Sequence, residues 1–208
     1  MSMNFNTNIF YGLSGTLKTT TIDSLIHKPE IQGNNIVMWS GIKPWKELEN
    51  GIFSGKVESN DLIYAINHLT RLEEYVGNCW VYEIENLFVE RGVSDMLFYR
   101  SMKTALEDEF ILDVIDKEEE LTFRSDFDWG GEINVKRTLL IMEDKDFISK
   151  SINAHPSRQL FKDVDDFLAK QKDYVEFTKK YNNIDETITI TSAKDYLVKL
   201  GIVYRSDN

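Results

Sequence analysis

The stretch Asn8-Ile9-Phe10-Tyr11-Gly12-Leu13-Ser14-Gly15-Thr16-Leu17-Lys18-Thr19-Thr20 moves from a short apolar run through two glycines into a helix-periodic pattern continued by Ile22, Leu25 and Ile26. That succession predicts a strand, a glycine loop and a helix. Residues 12 to 19 match G-x-x-x-x-G-K-[ST] at every fixed place but one, where Leu17 replaces the last glycine. In such a loop successive backbone N–H groups wrap around phosphates and the helix N-terminus adds its positive end. The lysine reaches the terminal phosphates and the hydroxyl ligates magnesium. The candidate phosphate-binding residues are therefore Gly12, Leu13, Ser14, Gly15, Thr16, Leu17, Lys18, Thr19 and Thr20. Leu17 sets a side chain where the backbone passes close to a phosphate, so either the loop tilts or Leu17 points into the core. A purely structural glycine turn is the plainer alternative.

Further along, Ile36-Val37-Met38-Trp39 is an apolar run punctuated by Asn34-Asn35 and Ser40-Gly41, as in a buried parallel strand. Residues 42 to 56 read as loop. From Asn60 to about Glu85 apolar residues recur at three- and four-residue spacing, predicting a long amphipathic helix with Gly77-Asn78 as a candidate break. Leu87-Phe88-Val89 is a third strand, followed by Glu90-Arg91-Gly92-Val93-Ser94-Asp95 and a helical pattern from Met96 to Val114. Residues 116 to 136, acidic and containing Trp129-Gly130-Gly131, read as an insertion. Leu139 to Met142 is the fourth strand, Phe161 to Tyr181 a long helix, and the alternating Thr187 to Thr191 a fifth strand. Ser192 with Asp195 is a capping signal for a last helix ending at Gly201. Strands alternating with helices predict an α/β fold with a mostly parallel five-stranded sheet covered on both faces, with ligands at the carboxyl ends of the strands.

The 208 residues carry no repeat or low-complexity tract, and their three prolines mark no linker, so the whole of 1 to 208 is expected to form one domain. Lysine and arginine number 24 against 35 acidic residues, a net charge of -11. Such a field repels phosphodiester backbones and anionic lipid, and disfavours a general nucleic-acid coat protein. The single cysteine, Cys79, permits neither an internal disulfide nor a cysteine-based zinc cluster. The opening Met1-Ser2-Met3-Asn4-Phe5 has no basic n-region, and no segment reaches membrane-spanning length. A cytoplasmic protein with no membrane segment is expected. The asparagine- and lysine-rich composition hints at an A·T-rich genome, as in phages.

Taken together, Gly12 to Thr19 and Leu87-Phe88-Val89-Glu90-Arg91-Gly92-Val93-Ser94-Asp95 resemble the P-loop nucleoside and nucleotide kinases, especially the thymidylate-kinase-like group. The resemblance is one of pattern over most of the chain. It implies a three-layer kinase fold with a lid, ATP as phosphate donor and Mg2+ as cofactor ion. It places Arg91 on the acceptor or transferred phosphoryl group and Glu90 near the magnesium. A lid is implied at about 149 to 160, with Arg158 in His155-Pro156-Ser157-Arg158, and the helix bearing Gln171, Tyr174 and Phe177 is similar as well. Ser40 to Trp45 departs from the group by lacking an acidic-arginine pattern, and Lys43 is a candidate substitute.

Each residue also has a plainer role. Glu90 and Arg91 can form a structural ion pair, Arg158 a solvated charge, and His155 a turn. Trp39, Trp45 and Trp129 can stack a base or simply pack. Glu83, Glu85, Asp95 and Glu143 lie near strand ends in sequence and stay unranked. The expected activity is transfer of the ATP terminal phosphate to a nucleotide or nucleoside, foremost a deoxynucleoside monophosphate. Lys18, Glu90, Arg91 and Arg158 carry the charge, and Thr19 with Glu90 holds the metal. The alternatives are a kinase of polynucleotides or modified bases, and a degenerate P-loop interaction module without catalysis. A homodimer is compatible with each.

Overall fold

The computed structural model describes residues 4–29, 31, 33–39, 60–102, 105–123, 133–154 and 160–202. Five strands, β1 (Phe5–Tyr11), β2 (Asn35–Met38), β3 (Asn86–Glu90), β4 (Ile133–Met142) and β5 (Glu186–Ile190), form one sheet. Every pairing is parallel, in the order β2-β3-β1-β4-β5. The helices among these residues are α1 (Lys18–Ile26), α2 (Asn60–Val81), α3 (Val93–Ser101), α4 (Asp108–Phe123), α5 (Lys145–Ala154), α6 (Val164–Tyr181) and α7 (Ala193–Lys199). Sheet and helices make the three-layer α/β architecture expected from the alternating pattern.

β1 lies in the middle of the sheet, and its Phe5, Ile9, Phe10 and Tyr11 are buried. β3 is buried along its whole length, which is why Asn86 to Glu90 shows no polar alternation. β5, at the edge, alternates between half-buried and exposed positions until Ile190, matching its threonine–isoleucine sequence. The chain leaves β1 toward β2 at one edge and leaves β3 toward β4 on the other side. The carboxyl ends of β1 and β3 therefore bound a crevice of the kind that receives ligands in open parallel sheets. Register fixes what meets there: Phe10 lies opposite Glu90, and the Arg91 N–H donates to the Phe10 carbonyl at 2.9 Å.

Several boundaries differ from the sequence expectation. α2 runs unbroken through Gly77 to Val81, because its buried Leu72, Val76, Cys79 and Trp80 keep the helix docked across the glycine. The helical pattern expected from Met96 to Val114 is two helices, α3 and α4. Residues 116 to 123 are not an insertion but the second half of α4, which buries Glu118, Leu121 and Thr122. Residues 133 to 136 likewise belong to β4, with Ile133 buried, so the insertion boundaries of 116 and 136 do not hold. Residues 149 to 154 of the expected lid form the end of α5, a helix that the sequence pattern does not separate from its surroundings. The capping signal of α7 is realised: Ser192 Oγ accepts the Asp195 N–H at 3.2 Å. Gly201 then turns the chain at φ 83°.

Candidate active site

The glycine loop follows β1 directly, and its conformation explains its composition. Gly12 has φ 151°, and a Cβ there would stand 2.4 Å from Thr16 Oγ1 and 2.9 Å from the Leu140 carbonyl. Gly15 has φ 93°. Leu17, in the place of the motif's last glycine, is the N-cap of α1 and adopts the left-handed conformation itself, φ 63° and ψ 21°. The loop thus keeps its path without a glycine, and the half-buried Leu17 side chain packs against the core cluster. The leucine leans on the core and at the same time borders the cavity above the loop.

Lys18 opens α1 and is 4% exposed. Its Nζ donates to the carbonyls of Gly12 and, at 2.8 Å, Leu13, with Thr16 Oγ1 at 3.4 Å. Burial, reinforced by the Arg91 charge, pulls its pKa down to about 7. A buried ammonium whose charge is disfavoured by desolvation gains from an incoming polyanion. Beside it the Thr19 hydroxyl donates to Glu90 Oε1. Glu90, 8% exposed, ends β3. A hydroxyl and a carboxylate side by side are hard oxygen donors. They fit magnesium, which keeps several waters and binds through one or two protein oxygens plus phosphate. Thr19 and Glu90 are the residues that would hold it, and when bound it would neutralise charge on the phosphates.

Arg91 follows at φ 78°, a left-handed conformation uncommon for a side chain of its size. Burial works against its charge, yet Asp95, Tyr99, Glu90 and Tyr174 together raise its pKa above the ordinary arginine value. Asp95, fully buried on α3, is pushed up to about 6 by desolvation, against the opposing pull of Lys18 and Arg91. Gly92 is small for a packing reason: a Cβ there would lie 2.4 Å from the Tyr11 ring. Behind the Arg91 turn, the buried Glu118 of α4 accepts the Val93 N–H at 2.6 Å and pairs with His68 Nε2 of α2 at 3.1 Å. This contact ties the start of α3 to two other helices.

These groups face a cavity of about 620 Å³ lined by Ser14 to Thr20, Trp39, Glu90, Arg91 and Met96, with Phe147, Ile148, Ser151, Ile152, Leu160, Phe161 and Phe167 on the side of α5 and α6. Loop residues and Lys18 at one side and apolar and aromatic walls at the other suit a nucleotide-sized ligand. Of the expected residues, Ser14 to Thr20, Glu90 and Arg91 are brought together. Gly12 and Leu13 are buried beneath the loop, where Gly12 anchors it and Leu13 packs into the core. Trp39 is at the cavity, its carbonyl accepting from Arg71 Nη1 at 3.0 Å. Glu83, Glu85 and Glu143 do not line it. Gln171 serves structure, its side-chain amide bonding both the N–H and the carbonyl of Met142, at 2.8 and 2.9 Å. Ser40, Lys43, Trp45, Trp129, His155 and Arg158 lie outside the described residues.

Sequence reasoning ranks neither Asp95 nor the tyrosines Tyr99 and Tyr174. The signal for Asp95 is its place on the first turn of the helix after Glu90-Arg91. Tyr174 lies on the helix that resembles the kinase group but is given no role there, and Tyr99 carries no signal beyond helical periodicity.

Sheet order, glycine loop and flanking helices make a three-layer α/β fold of the P-loop kinase type. No protein-family model matches the chain, and no curated protein matches it in sequence. Among solved structures the backbone is similar to deoxyadenosine kinase from M. mycoides with bound dATP, at TM-score 0.53 and 15% identity, covering 94% of this chain and 98% of that one. It is similar to the same kinase with bound dCTP at TM-score 0.53 and 14% identity, covering 95% of this chain and 100% of the other. A third structure of that kinase, with the products dCMP and dCDP, has the same TM-score at 14% identity and 94% and 96% coverage. No helix among the described residues is long and apolar enough to cross a membrane.

Proposed function

We propose that this chain is a magnesium-dependent kinase that transfers the terminal phosphate of ATP to a deoxynucleoside or a deoxynucleoside monophosphate. The observation that carries the proposal is the convergence of Lys18, the Thr19–Glu90 pair and Arg91 on one cavity at the ends of β1 and β3. In-line phosphoryl transfer asks little covalent chemistry of the protein and much positioning and charge neutralisation. The loop amides and Lys18 hold the donor phosphates. Arg91, aimed into the same cavity from the neighbouring strand end, offsets charge on the transferring group. The apolar walls on α5 and α6 exclude water from the reacting oxygens. The thymidylate-kinase-like pattern of the sequence supports a monophosphate acceptor, and the likeness to deoxyadenosine kinase supports a nucleoside.

Turnover with Mg-ATP and a panel of the four deoxynucleosides, their monophosphates and an oligonucleotide tests this reading. Transfer to a free deoxynucleoside or its monophosphate is expected. Arg91→Ala is expected to lower kcat more than it raises KM, because a guanidinium on the transferring group binds the transition state better than the ground state. ATP binding without transfer to any acceptor overturns the reading in favour of a nucleotide-binding module. Preferential phosphorylation of the oligonucleotide overturns it in favour of a polynucleotide kinase.

A further inference from the structure

Two tyrosines from different helices reach the underside of the glycine loop. Tyr174 of α6 accepts the Gly12 N–H at 2.8 Å, and Tyr99 of α3 accepts the Ser14 N–H at 3.2 Å. Both hydroxyls also connect to the other half of the site. Tyr174 donates to Asp95 Oδ1, and Tyr99 lies close enough to the Arg91 guanidinium to interact with its charge. Phe98 packs edge-on against both rings, with centroids 5.8 Å from Tyr99 and 5.1 Å from Tyr174. Neither tyrosine lines the cavity, so neither is placed to touch a substrate.

We propose that Tyr99 and Tyr174 are positioning residues that tie the phosphate loop to the Arg91 turn, setting the loop's geometry for the donor through the helix that follows the acceptor-side arginine. The proposal rests on the assignment of Gly12 to Thr19 as a donor-phosphate loop. Its physical basis is that backbone amides bind phosphate well only when held within about 0.5 Å of the productive geometry. Gly12 cannot supply that rigidity itself, since its φ of 151° belongs to a conformation that an unrestrained glycine exchanges for many others. The two hydroxyls take up amides in the first half of the loop, ahead of Thr16 to Thr19. Because α3 starts two residues beyond Arg91, any displacement of the Arg91 turn is passed to Gly12 through Asp95 and Tyr174 and to Ser14 through Tyr99.

Mg-ATP affinity, measured by calorimetry on the full chain, tests the tie. Tyr174→Phe keeps the ring against Phe98 and removes both hydrogen bonds. Tyr99→Phe does the same at the second point. Tyr181→Phe is the control, a hydroxyl on the same helix as Tyr174 that donates to the exposed Asp108 Oδ1 and touches no loop residue. Loss of one hydrogen bond is worth about 0.5–1.5 kcal/mol, and more when the partner is charged. Tyr174→Phe is therefore expected to weaken Mg-ATP about tenfold and Tyr99→Phe about threefold, with Tyr181→Phe unchanged. In turnover, KM for ATP should rise while KM for the acceptor holds, a split that general loss of packing does not produce. If the wild type binds Mg-ATP and both loop-tyrosine variants bind it equally well, the tie is wrong and the kinase reading stands. If the wild type does not bind Mg-ATP, the phosphate-loop reading fails and the tie with it. Should Tyr174→Phe not fold, Tyr99→Phe decides by the same comparison.

Discussion

Leu17 sits at φ 63° and ψ 21°, where a glycine is unstrained and a leucine is strained by about 1–2 kcal/mol. The half-buried side chain regains part of that by packing against the core. Leu17→Gly removes both effects while leaving the backbone path available. Nucleotide affinity is therefore expected to be preserved within about twofold. Unfolding stability should change by less than about 1.5 kcal/mol, because relief of the backbone strain offsets the missing leucine packing. Titration calorimetry with Mg-ATP and urea unfolding check the two halves. A large loss of affinity would show that the leucine side chain itself shapes the phosphate site. The same residue marks a limit of motif reading: the missing glycine is plain in the sequence, but the path the loop takes there depends on a dihedral angle that residue identity does not determine.

At the scale of elements, Asp144 joins two helices that are far apart in sequence. One carboxylate oxygen accepts the Phe147 N–H at 2.9 Å, in the first turn of α5, and the other accepts the Ala193 N–H at 2.8 Å, at the start of α7. The hydrogen bonds from Ala193 and Phe147 hold its pKa below the ordinary carboxylate value. A folded-state pKa below the unfolded one gives stability that is present above the unfolded value, about 3.9, and lost as pH falls through the folded one. Asp144→Ala is expected to cost about 0.5–2 kcal/mol at pH 7, the usual range for an N-cap. That difference should shrink steadily below pH 4. Urea unfolding of both proteins at pH 7 and pH 3 measures it. Because α5 supplies Phe147, Ser151 and Ile152 to the cavity wall, the variant should also raise KM for ATP.

For the molecule as a whole, the net charge of -11 makes salt a discriminating variable. A mononucleotide or nucleoside acceptor makes few phosphate contacts and releases few counterions. A polynucleotide making six to ten contacts loses about three to five decades of affinity between 50 and 200 mM salt. Acceptor KM is expected to change less than about tenfold over that range. A steep rise with an oligonucleotide acceptor would point to a basic groove and exclude the small-acceptor reading. The acidic field is compatible with the local site, where Lys18 and Arg91 are shielded from it by burial and work at short range.

What the sequence determined by itself was the order of the five strands, the glycine loop after β1 and the Glu90-Arg91 pair after β3. Those features are written in local periodicity and in residue types whose chemistry is specific, such as a lysine and a hydroxyl closing a glycine turn. The break between α3 and α4 and the continuity of α2 through Gly77 were decided by tertiary packing. Gly77 stays helical because Val76, Cys79 and Trp80 around it are buried, and Leu121 draws residues beyond 116 into α4. The site divides in the same way. Lys18, Thr19, Glu90 and Arg91 were legible as charged and hydroxyl groups at strand ends, whereas Tyr99, Tyr174 and Glu118 act through contacts that span from 25 to 162 residues of chain. A tyrosine on a helix reads the same whether it fills a core or holds a loop amide. Only the parallel register of β1 against β3, with α3 and α6 packed beneath their ends, brings its hydroxyl to the loop.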